Sequence, residues 1–105
     1  MTTFADFSEI MERDCYASWR SVIGRQNEYL IDSVDSTVFT MQETDDRWIY
    51  SFSIRSNGKW HQGKAETVPI TYDVLASNEH GENRSPENVA SDLAFSILER
   101  IAGEM

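Results

Sequence analysis

The hydrophobic period of this chain changes twice, and those two changes constrain the fold more than any motif does. From Phe4 to Ile23, the apolar residues Phe4, Phe7, Met11, Cys15, Trp19 and Val22 recur three or four positions apart, the spacing that lines one side of an α-helix. Thr3 is placed to cap its first turn, Asp6 and Glu9 suit the positive end of the helix dipole, Arg20 suits the negative end, and Gly24 reads as a left-handed stop. From Glu28 to Ala76 the period falls to two and β-branched and aromatic residues become frequent, which is the signature of strands.

The clearest strand is Arg47 to Arg55, where Trp48, Tyr50, Phe52 and Ile54 alternate with Ile49, Ser51 and Ser53. Such alternation makes one face apolar and leaves the other mostly polar. Upstream, Glu28 to Val34 and Thr37 to Glu43 are expected to form a hairpin about Asp35-Ser36, with the next turn at Asp45-Asp46. Downstream, Trp60 to Ala65 returns from Asn57-Gly58, and a last strand, Val68 to Leu75, begins near Pro69, which lacks a ladder donor.

The turn at Ser56-Asn57-Gly58-Lys59 decides which way Trp60 points, because a change of one residue in a hairpin loop exchanges the two faces of the strand. A two-residue Asn-Gly turn pairs Arg55 with Trp60 and leaves the indole in solvent. A three-residue loop with Gly58 in a bulge pairs Ile54 with Trp60 in the core, and burial of a large aromatic favours it. On the first register, Trp60 beside Arg55 would be the best single anchor for a partner.

Helical spacing resumes after a polar loop, Asn78 to Asn83 with Gly81. Ser85-Pro86-Glu87 supplies a capping hydroxyl, a first-turn proline and an acid at the positive dipole end. Val89, Leu93, Ile97 and Ile101 then make an apolar stripe to about Ala102, where Gly103 ends it. The expected fold is α+β in two layers: an N-terminal helix, an antiparallel sheet of four or five strands and a C-terminal helix, forming one globular domain over residues 1–105 with one sheet face open. A 40% apolar content with three Trp, four Tyr and five Phe is enough to fill such a core.

The chain carries eighteen Asp and Glu against nine Lys and Arg, a net charge of −9. A field of that sign repels nucleic-acid backbones and attracts basic surfaces, although acidic composition also serves solubility alone. The lone cysteine, Cys15, cannot form an intramolecular disulfide, and Met1 to Gly24 has neither a basic leader nor a long apolar run. A cytoplasmic location and no membrane association are therefore expected.

Motifs for chemistry are sparse. Cys15 could serve as a nucleophile with His61 or His80, yet it falls on the helical core stripe, where a thiol normally behaves as a small hydrophobe. Glu79, His80 and Glu82 match no zinc or calcium spacing, and the acids at turns suit backbone capping better than a shared substrate. Neither a phosphate-binding glycine loop nor a nucleophile elbow is present. The expectation is a protein that is not an enzyme and takes no metal or cofactor.

The helix–strands–helix order resembles that of double-stranded RNA-binding domains, which implies a lysine-lined last helix. Here Ser85, Pro86, Glu87 and Asn88 stand at that position, a charge opposite to what phosphate contacts need. In size, acidity and mixed plan the chain is also similar to type III secretion chaperones, a resemblance that implies a homodimer presenting apolar grooves.

The leading functional reading is a small acidic interaction protein, of inhibitor or immunity type, that occupies a basic surface of another protein built to bind nucleic acid. Its expected contacts are Asp32, Asp35, Glu43, Asp45 and Asp46, with Trp60 and Tyr72 as aromatic anchors. The alternatives are a dimeric secretion-type chaperone or assembly factor, and a small-molecule-binding domain or an enzyme of unrecognised type.

Overall fold

A computed structural model of the chain describes residues 2–71 and 85–105. Helix α1 spans Phe4–Gln26, and the Thr3 hydroxyl accepts the Asp6 N–H at 3.1 Å, as a capping residue should. Gly24 does not stop it. A Cβ at Gly24 would lie 3.0 Å from Ile31 Cδ1, so this glycine admits a packing neighbour, while the helix continues to Gln26, with Arg25 in its last turn.

The segment expected as a first strand, Glu28 to Val34, instead forms a short helix, α2 (Tyr29–Ser33). The Asn27 side chain accepts the Tyr29 N–H at 3.0 Å and starts the turn. The consecutive apolar residues Tyr29, Leu30 and Ile31 give a run that suits either state, and Leu30 and Ile31 use it to pack against the core.

Strand β1 (Val34–Glu43) follows directly, so Asp35-Ser36 is no hairpin turn but the site of a register shift inside the strand. Strands β2 (Trp48–Ser56) and β3 (Lys59–Thr67) complete an antiparallel meander in the order β1-β2-β3. The sheet thus has three strands among the described residues, not four or five. Val68 to Thr71 leave the ladder, where Pro69 could give no donor, and Ile70 turns into the core instead. The remainder of the expected last strand, Tyr72 to Leu75, and the loop Asn78 to Asn83 lie outside the described residues. Helix α3 (Pro86–Glu104) opens with the Ser85 hydroxyl accepting the Asn88 N–H at 3.1 Å, and it runs through Gly103.

Strand β2 is the centre of the core. Trp48, Tyr50, Phe52 and Ile54 are each at most 4% exposed. Phe39 and Met41 flank them on β1, Gly63 and Ala65 on β3. Across this face lie Phe7, Met11, Cys15, Trp19, Val22 and Ile23 of α1, and Ala90, Ala94, Ile97, Leu98, Ile101 and Ala102 of α3. Phe4 and Phe7 contact the Trp48 ring at centroid distances of 5.7 and 5.3 Å, so α1 starts above the start of β2. Residues at the beginnings of α1 and α3 line one cleft, and residues near their ends line another. The two helices therefore run parallel.

Gly63 sets how closely α3 approaches the sheet. A Cβ there would stand 2.5 Å from Ile97 Cγ1 and 2.9 Å from the Ile97 carbonyl oxygen, and the second of these is backbone that cannot rotate away. Gly63→Ala is expected to destabilise the fold by about 1–3 kcal/mol through overpacking, against a near-neutral effect for Gly103→Ala, where nothing lies within 4 Å. Denaturant titration of the two variants compares them directly.

Candidate functional site

The Asn57-Gly58 turn settles the orientation of Trp60. Asn57 and Gly58 have φ of 53° and 78°, the paired left-handed residues of a two-residue hairpin turn, and Arg55 pairs with Trp60. The expectation that burial would pull Trp60 into the core by way of a three-residue loop is thus corrected. The aromatic gain was outweighed because Asn-Gly adopts this turn with little strain, and the shorter loop keeps the apolar row of β2 in register with Gly63 and Ala65. Trp60 is 48% exposed on the open face.

On that face Arg55 joins two of the expected contacts. Its Nε donates to Asp35 Oδ1 at 2.6 Å, and its guanidinium carbon lies 5.9 Å from the Trp60 ring centroid. Asp35 raises the Arg55 pKa still further by accepting that hydrogen bond, so the carboxylate is largely neutralised locally. Around this group the face carries Ser36, Val38, Thr40, Gln42, Ser51, Ser53 and Gln62, and the Thr40 and Ser51 hydroxyls meet at 2.6 Å. Ile49, Lys64 and Glu66 complete the same face toward the end of β3.

Glu43, Asp45 and Asp46 are at the other end of β1. At roughly 3.3 Å per residue, Glu43 is about 26 Å from Asp35, so the early-strand acids do not form one patch. Asp32 stays with the Asp35 end, exposed on α2, and Tyr72 lies outside the described residues. Asp46 is held by its neighbour: Arg47 donates to both its carboxylate oxygens, at 3.2 and 3.3 Å, and also to Glu66 Oε2 at 2.5 Å. These hydrogen bonds, and then the charge of Arg47, keep the Asp46 carboxyl below the usual carboxylate range. Arg47 thereby ties the β1–β2 turn to the far end of β3.

The fold adds carboxylates that sequence reasoning assigned only to helix dipoles. Because the helices are parallel, Asp6 and Glu9 of α1 and Glu87 of α3 share one cleft of about 480 Å³ with Arg13, Ile10 and Pro86. The Phe4 and Phe7 contacts with Trp48 place this cleft at the same end of the molecule as Glu43, Asp45, Asp46 and Glu66. Among the described residues that end holds seven carboxylates against Arg13 and Arg47. At the opposite end Glu28, Asp32, Asp35, Glu99 and Glu104 mix with Arg20, Arg25, Arg55 and Lys59, which nearly balance them. The signal available beforehand was that both helix starts are acid-rich; what joins them is tertiary.

Cys15 is fully buried in the helix–sheet core. Burial, reinforced by Asp14, pushes its thiol up to about 12, so it stays protonated and inert. Tyr50 is likewise pushed up to about 12, by burial first and the neighbouring Cys15 second. Among the described residues no group of three or more His, Cys, Asp or Glu side chains could hold a metal ion, and no helix is long and apolar enough to cross a membrane.

Two outcomes follow from these environments. The folded state holds the Cys15 and Tyr50 protons more tightly than the unfolded chain, whose groups titrate near 9.0 and 10.0, so their contribution is complete below about pH 9 and is lost as pH rises toward 12. Denaturant midpoints should fall over that window, and Tyr50→Phe or Cys15→Ala should each flatten the decline. Acrylamide should quench one tryptophan component strongly, that of Trp60, since Trp48 is 4% and Trp19 8% exposed. Trp60→Phe should remove this component while changing stability by less than about 0.5 kcal/mol.

With this geometry established, comparison with known proteins finds no family model, no curated protein and no solved structure that matches the chain.

Proposed function

We propose that this chain is a small protein-binding module that docks its acidic end onto a basic surface of another protein, as an inhibitor or immunity-type protein would when covering a surface built for nucleic-acid phosphates. The observation that carries the reading is the concentration of seven carboxylates against two guanidinium groups at the end formed by the helix starts and the β1–β2 turn. Five of them, Asp6, Glu9, Glu43, Asp45 and Glu87, take part in no ion pair among the described residues. The other two are braced by Arg47, which holds the turn in place.

Carboxylates clustered at one end give the molecule a charge asymmetry between the helix starts and the helix ends. A basic partner is steered to that end and oriented before contact, an effect that operates over a Debye length of about 8–10 Å at ordinary ionic strength. Close pairs formed afterwards select against acidic competitors. This reading shifts the contact surface from the whole of β1 to Glu43, Asp45 and Asp46 together with the helix starts, and it leaves Asp32, Asp35 and Trp60 at the opposite end.

Affinity capture from the native host, followed by salt titration of the recovered complex, tests the proposal. The expected partner is basic and its affinity falls about tenfold or more over a moderate increase in salt. The triple variant Glu43→Lys, Asp45→Lys and Glu87→Lys should abolish capture, whereas Asp32→Lys should leave it intact. A partner held equally well at high salt and by the triple variant would overturn the reading.

A further inference from the structure

We draw no further inference here: the strongest candidate, the patch on the open sheet face where Trp60 lies over the Arg55–Asp35 ion pair, carries nothing because nothing in the structure shows what covers it.

Discussion

The arrangement of this molecule depends on a two-residue turn. Asn57 and Gly58 both occupy left-handed backbone conformations, which most residues avoid and which Asn and Gly enter at little cost. A loop of that length admits one register. Tyr50 then faces Ala65, Phe52 faces Gly63, and Ile54 faces His61 on the buried side, while Arg55 and Trp60 share the open side. One added residue would exchange the faces of β3 and set Gln62 and Lys64 against the helices in place of Gly63 and Ala65. The close seating of α3 on the sheet follows from the same register, because it brings the missing side chain of Gly63 under Ile97.

The helices, in turn, organise the charge. A helix start draws acids because its unpaired N–H groups carry partial positive charge, and each helix satisfies that preference alone, with Asp6 in one and Glu87 in the other. Parallel packing brings the two starts to one end. The β1–β2 turn lies there too, beneath Phe4 and Phe7. Local preferences that are individually modest thus accumulate into a molecule with one acidic end and one mixed end, and the Arg47 bridge between Asp46 and Glu66 steadies the boundary of the acidic one.

The open face forms a separate surface. Trp60 stacks near Arg55 and Asp35 among hydroxyl and amide side chains, far along β1 from Glu43.

Much of the architecture was legible from periodicity and caps. The starts of α1 and α3 fall where Thr3 and Ser85 place them, and the buried row of β2 is the row that alternation marked, because local capping and side-chain period report directly on backbone state. What the sequence left open were contests between comparable local options: whether Tyr29-Leu30-Ile31 would be strand or helix, whether Gly24 would cap or pack, and which hairpin loop would form. Packing partners decided these, through Ile31 against Gly24 and Ile97 against Gly63. The sequence alone determined the amount and sign of the charge and the order of helix, strands and helix. Only the tertiary structure decided where that charge gathers, since that depends on contacts between residues far apart in the chain, to which no local period is sensitive; the way Trp60 faces was a contest between two local loops, decided by the Asn57-Gly58 turn together with the seating of Gly63 under Ile97.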